Sequence, residues 1–286
     1  MTLPPPSPGD MARSLKVPPA WLRLREPADA AARSEELVAL VRANLADAPR
    51  VVVHDLGCGT GSMARWLAPR LGGRQHWVMY DRDPDLLEYA ASALADQPGL
   101  TSETRQADVT RVTSADLSSF SGPATAGRSL VTASALLDLL TADEVDGIVR
   151  ACVEADCPAL LTLSVSGVVD LNPVDPLDAE IMAAFNAHQR RTIDGRRLLG
   201  PDAVAETVAA FTRRGVEPVV RASAWRLGAD DRDVLVEWLA GWLGAACAER
   251  PELAEPARAY QRERLAQAAD GRLRVVVGHE DVLSCG

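Results

Sequence analysis

The stretch VVVHDLGCGTGSMARWLAPRL, residues 51–71, decides the fold. Three valines run into an acid, Asp55; glycines follow at positions 57, 59 and 61; then apolar residues recur at helical spacing. Valines favour a strand and the later spacing favours a helix, so the glycines mark a strand-to-helix turn. Gly57, Gly59 and Gly61 let the chain turn tightly and bring its backbone against a ligand with no Cβ in the way. A helix opened at Gly61 offers free N–H groups to a negative group. In open α/β sheets, ligands sit beyond the carboxyl ends of the strands at the switch point, which is where such a turn belongs.

The rest of the 286-residue chain extends the same rhythm. Strands are expected over 51–55, 75–81, 102–107, 128–134 and 158–165, with helices over 61–71, 84–96 and 141–154 between them. The last of these opens on TADE, a capping-box pattern at Thr141 and Glu144. Nearly all-apolar strands alternating with helices define an α/β fold: a doubly wound, mostly parallel sheet with helices on both faces. A helical region is expected over 29–46. After 165 come helices near 176–191 and 201–214, a strand over 217–226, a helical insertion at 230–246 and 252–269, and a final strand over 273–283. The division that follows is a Pro-rich disordered tail at 1–17, an N-terminal helical lid at 18–48 and a ligand-binding domain at 49–286. Segments 166–200 and 228–270 lie on its substrate side.

Composition narrows the function classes. Hydrophobic residues make up 47% of the chain, ordinary for a globular protein. No run of about 18 apolar residues occurs, which argues against a membrane partner, and the N-terminus lacks a secretory pattern, so a cytoplasmic location is expected. Basic residues are nearly all arginine and alanine is abundant, a pattern of GC-rich, bacterial coding bias. Five cysteines without C-x-x-C spacing point to neither a disulfide framework nor a cysteine zinc site, and no metal is expected. A net charge of −10 argues against nucleic acid as a partner.

The ligand is narrowed by spacing and charge. The glycines form G-x-G-x-G, not the G-x-G-x-x-G of dinucleotide turns. Asp55 would repel a pyrophosphate and attract ammonium and sulfonium groups. The run D-L-G-C-G-T-G resembles the first motif of class I S-adenosylmethionine-dependent methyltransferases, and later landmarks stay in register with that family. The resemblance implies seven strands with the last antiparallel, and S-adenosyl-L-methionine as cofactor, with S-adenosyl-L-homocysteine as product. It places Asp55, Gly57, Cys58, Gly59 and Gly61 at the cofactor, with Cys58 contributing backbone only. It assigns Asp81, next to Arg82, to the ribose hydroxyls, Asp108 and Val109 to the adenine, and Ser134 and Ala135 to the methionine part. In the lid, Arg25 and Arg33 are candidates to pair with the cofactor carboxylate.

The acceptor is less constrained. No N/D-P-P-Y/F turn follows the fourth strand, which argues against methylation of nucleic-acid amines, and Cys157 reads as core rather than as a nucleophile. Asp138, Asp170 and Asn172 only loosely match the acids of metal-dependent relatives. In DAEIMAAFNAHQRRTIDGRRLLGP, His188 is the leading general-base candidate and Asp138 the second; Asn186, Gln189, Arg190 and Arg191 are candidate substrate contacts. Leu235, Trp238, Leu239, Trp242 and Leu243 form a stripe that suits core, a homodimer contact or a roof over an apolar acceptor. The expected function is methyl transfer to an oxygen or nitrogen of a small-molecule acceptor. The alternatives are an RNA or protein methyltransferase, and a non-catalytic S-adenosylmethionine-binding protein.

Overall fold

The structure is a computed structural model and describes residues 17–95, 98–118 and 127–285. All but Val17 of the expected disordered tail lies outside those residues. Two helices precede the sheet, α1 (Pro19–Ala32) and α2 (Glu35–Asn44). They are the expected N-terminal helices, and the helical region expected over 29–46 is interrupted between them. The break falls at Ser34, whose side chain accepts the Leu37 N–H at 3.3 Å and caps α2.

The sheet follows as β1 (Val51–Leu56), α3 (Ser62–Leu71), β2 (Gln75–Asp81), α4 (Pro84–Ala91), β3 (Leu100–Gln106), a short α5 (Ser114–Ser118), β4 (Arg128–Ser134), α6 (Ala142–Glu154) and β5 (Ala159–Asn172). Thr141 and Glu144 form the expected capping box on α6. Beyond β5 lie α7 (Asp178–Gln189), a small hairpin β6 (Thr192–Ile193) and β7 (Arg196–Arg197), and α8 (Ala203–Thr212). Then come β8 (Val219–Ala222), β9 (Trp225–Leu227), α9 (Arg232–Glu249), α10 (Ala254–Ala269) and β10 (Arg274–Ser284).

Strand order is β3-β2-β1-β4-β5-β10-β8, with β9 also paired to β10. The first five strands are parallel and β10 runs antiparallel to β5. Alternate residues of each strand serve opposite faces. Val51 and Val53 join Leu37, Val41, Met63 and Leu67 on one side. Val52 and Leu56 join Val145, Ile148 and Phe211 on the other. A third core, outside this sandwich, gathers Trp238, Trp242, Ile181, Tyr260 and Val275, so the Leu235–Leu243 stripe is largely core.

Two expectations at the sheet edge need correction. β5 does not stop at 165 but continues to Asn172, because Val169 and Leu171 bury against the third core. The strand expected over 217–226 is two strands, β8 and β9, flanking Ser223. The split falls opposite an irregularity in the β5–β10 ladder. Val277 faces Val169 while His279 faces Val165, so Gly278 alone opposes three residues of β5. A Cβ at Gly278 would collide with Ser166 Oγ and press on Val168 O, so glycine lets the two strands approach closely here. Such a bulge redirects the side chains beside it.

Candidate active site

A cavity of about 930 Å³ opens beyond the carboxyl ends of β1, β2 and β4, and α1 also lines it. That is the upper range for small-molecule sites and leaves room for two ligands side by side. Its polar end is built by the glycine turn. Gly57, Gly59 and Gly61 all have left-handed backbones, with φ of 65°, 55° and 83°. The first two line the cavity; a Cβ on Gly57 would come within 3.0 Å of Leu136. Gly61 does not line it. It caps α3 and packs so tightly on Ala93 that a Cβ would lie 2.5 Å away. Its bare Cα allows the close approach of the turn to α4 and Ala93.

Acids surround the turn. Asp55, 1% exposed, accepts the Thr132 hydroxyl at 2.7 Å through Oδ1, while its Oδ2 has no hydrogen-bond partner. Burial pushes its pKa up to about 7, against the pull of Thr132 and Arg33. Asp81 accepts Gly59 N–H at 3.0 Å and Asp83 N–H at 2.9 Å, one on each oxygen. Each carboxylate oxygen accepts more than one donor, so both can still take a ligand hydroxyl. Asp108 caps a short turn through Thr110, whose hydroxyl holds its pKa down. Arg82, Asp108, Val109, Ser134, Ala135 and Cys58 also line the cavity. Burial raises the Cys58 thiol far above its usual range, so it stays protonated.

The two lid arginines differ. Arg25 lines the cavity but is held by Asp29, with Nε–oxygen distances of 3.0 and 3.1 Å and Nη2 at 2.9 Å. Arg33 is 3% exposed and meets no carboxylate at ion-pair distance among the described residues. Its Nη2 donates to Ser134 Oγ at 3.0 Å and Ser62 Oγ at 3.3 Å, and both serines line the cavity. Its Nε and Nη1 have no hydrogen-bond partner. An acceptor for an ammonium at Asp55 and acceptors for hydroxyls at Asp81 fit chemical parts of S-adenosylmethionine, while Arg33 stands behind the cavity wall and reaches it through Ser62 and Ser134.

Another part of the lining is aromatic. Trp21 of α1, Phe185 of α7, Trp225 of β9 and Trp238 of α9 line it, together with Val277 and His279 of β10. Trp225 donates its indole N–H to Asp29 at 3.0 Å, meets Trp21 edge-on at 6.3 Å and lies 5.3 Å from His279. Asp138, on the turn after β4, lines the cavity with its Oδ1 unpartnered, and burial raises its pKa.

Most of the helix-α7 candidates lie off the cavity. Among His188, Asn186, Gln189, Arg190 and Arg191, Gln189 alone lines it. His188 is buried with Nδ1 3.8 Å from Glu249. Arg190 pairs with Asp202 at 2.6 Å, Asn186 donates to Gly167 O, and Arg191 to His188 O. Asp170 and Asn172 face Val276 and Arg274 across the ladder, away from Asp138's cavity. No cluster of three or more His, Cys, Asp or Glu suited to a metal occurs among the described residues. The cavity residues passed over in sequence are Trp21, Trp225 and His279. His279 stands two residues after Val277 on one strand face, a period-two signal that becomes usable once β10 is placed next to β5.

Residues 53–154 match a family model described as methyltransferase domain. No curated protein matches the chain. Among solved structures, a cyclopropane synthase from Mycobacterium tuberculosis is 15% identical with a TM-score of 0.46, covering 92% of this chain and 93% of that one. A SAM-dependent methyltransferase from Geobacter sulfurreducens, in complex with S-adenosyl-L-homocysteine, is 16% identical with a TM-score of 0.44, covering 94% and 99%. Magnesium protoporphyrin IX methyltransferase from Synechocystis is 15% identical with a TM-score of 0.40, covering 72% and 77%. The family match runs from within β1 to the end of α6 and so includes the glycine turn, Asp55, Asp81 and Asp108. No helix among the described residues is long and apolar enough to cross a membrane.

Proposed function

We propose that this enzyme transfers a methyl group from S-adenosylmethionine to an oxygen or nitrogen of a small molecule, with donor and acceptor side by side in the one cavity. The observation that carries the reading is the cavity's division: a glycine turn with unspent acceptors in one part of the lining, aromatic walls in another, and Asp138 lining it as well. Asp55 Oδ2 would take the donor's ammonium, Arg33 its carboxylate through Ser62 and Ser134, and Asp81 its ribose hydroxyls; Asp108 and Val109 would flank the base.

S-adenosylmethionine supplies a methyl carbon on a sulfonium sulfur, which leaves with the carbon–sulfur electron pair as the acceptor's lone pair forms the new bond. The protein's tasks are alignment, exclusion of water and removal of one proton. Asp138 would receive that proton. A carboxylate whose pKa is raised by burial is a better base near neutral pH than an exposed one. Helix α1, with Trp21, Leu22 and Arg25 on the cavity, would keep water out.

The test is formation of S-adenosylhomocysteine from S-adenosylmethionine with panels of small phenols, alcohols and amines, against RNA and protein as controls. Asp138→Asn should lower kcat by about 10²–10⁴ while the donor KM changes little. Turnover on RNA or protein alone would contradict the small-molecule reading.

A further inference from the structure

The aromatic end of the cavity carries information about what the acceptor is. Seven acidic and four basic side chains line the cavity. Of the four cations, Arg25 is held by Asp29 and Arg196 is held by Glu144 at 2.7 Å. Arg111 lies 3.6 Å from Asp108 and is largely exposed. The fourth, Arg82, follows Asp81 at the polar end. An anionic acceptor at the aromatic end would therefore find no unspent cation among these four. A cationic acceptor fares no better there. The Arg25 guanidinium already sits over the Trp225 ring, 4.7 Å from its centre, and 6.0 Å from that of Trp21.

The rings themselves favour a flat apolar body. Trp225 is fixed by its bond to Asp29, and Trp238 is stacked on Trp242 at 5.2 Å, so both walls are held in place before any ligand arrives. The polar capacity left beside them is small and specific: His279 Nδ1 and Gln189 Oε1 are buried without partners. Burial pulls the His279 pKa down to about 4, so its ring is neutral at neutral pH and can accept or donate one hydrogen bond. His279 lies on the cavity next to Trp225, on the same face of β10 as Val277.

We propose that Trp21, Phe185, Trp225 and Trp238 wall an acceptor subsite for a neutral, planar aromatic molecule, with His279 positioned to hold its hydroxyl group. The subsite rests on the reading that the glycine-turn end takes the methyl donor. His279 would orient the acceptor oxygen, while the proton lost on methylation goes to Asp138.

The test is calorimetric titration of the full-length protein with naphthol, naphthoate and naphthylmethylammonium, each with and without saturating S-adenosylhomocysteine. These probes share a ring system and differ in charge. Naphthol should bind at least about tenfold more tightly than either ion, since burying an unpaired charge is costly. Trp238→Leu should weaken naphthol by about tenfold, and His279→Leu by about threefold, with S-adenosylhomocysteine affinity unchanged in both. If S-adenosylhomocysteine binds but naphthol does not, or naphthoate binds as tightly, the acceptor inference falls and the donor reading stands. If naphthol selectivity holds while S-adenosylhomocysteine fails to bind, the donor reading falls and the neutral aromatic subsite stands. The wild-type comparison decides between these even if a variant does not fold.

Discussion

Asp55 joins binding to protonation. In the unfolded chain an aspartate titrates near 3.8, whereas burial raises Asp55 to about 7. Its folded form thus holds the proton more tightly. Its contribution to stability is complete below about pH 4 and is lost as pH rises through about 7. A bound ammonium reverses that penalty, because it pairs with the ionised form. S-adenosylhomocysteine should therefore bind about tenfold more tightly at pH 8 than at pH 6, and Asp55→Asn should flatten the profile. A wild-type profile as flat as the variant's would remove Asp55 from the ligand. Asp55, Asp81 and Asp108 were legible in the sequence because strand-end acids and a glycine turn are local patterns. His188 was not: its spacing on a helix was clear, yet which face met the cavity depended on how α7 packs against α9. His279 was missed for the complementary reason. Its placement on the cavity depends on β10 pairing with β5, far away in the chain.

Between elements, the decisive joint is Asp281 on β10. It is wholly buried, and accepts Ser34 N–H at the break between α1 and α2 and Leu163 N–H on β5, both at 2.8 Å. Leu163 itself has a left-handed backbone, φ 57°, inside a strand, so the acid stabilises an unfavourable conformation as well as fastening the lid. Asp281→Ala leaves two buried N–H groups unpaired, at about 1–3 kcal/mol each. Urea unfolding should show a loss of about 3 kcal/mol, and limited proteolysis should cut first within α1 and α2. Unchanged stability would show that the lid is held by its apolar contacts alone. The regular elements up to α6 were close to their sequence expectations, because parallel strands and their helices carry strong periodicity. The lid break, the long β5 and the split of β8 from β9 were not, since each is set by partners remote in sequence.

Taken together, the sheet, lid and C-terminal helices converge on one cavity with two chemically distinct parts. The sheet end was visible in a few residues of sequence. The aromatic end draws on α1, α7, α9, β9 and β10, and no single stretch announces it. The net charge of −10 agrees with a site closed to polyanions rather than an open phosphate-binding face. The most direct measurement is calorimetric titration with S-adenosylmethionine and S-adenosylhomocysteine, with NAD as control, on the wild type and on Asp81→Ala. Micromolar binding of both sulfur compounds, weakened by about 1–3 kcal/mol in the variant, is the expected result. Preference for NAD, or binding indifferent to Asp81, would contradict the assignment of the glycine turn and its acids to the methyl donor.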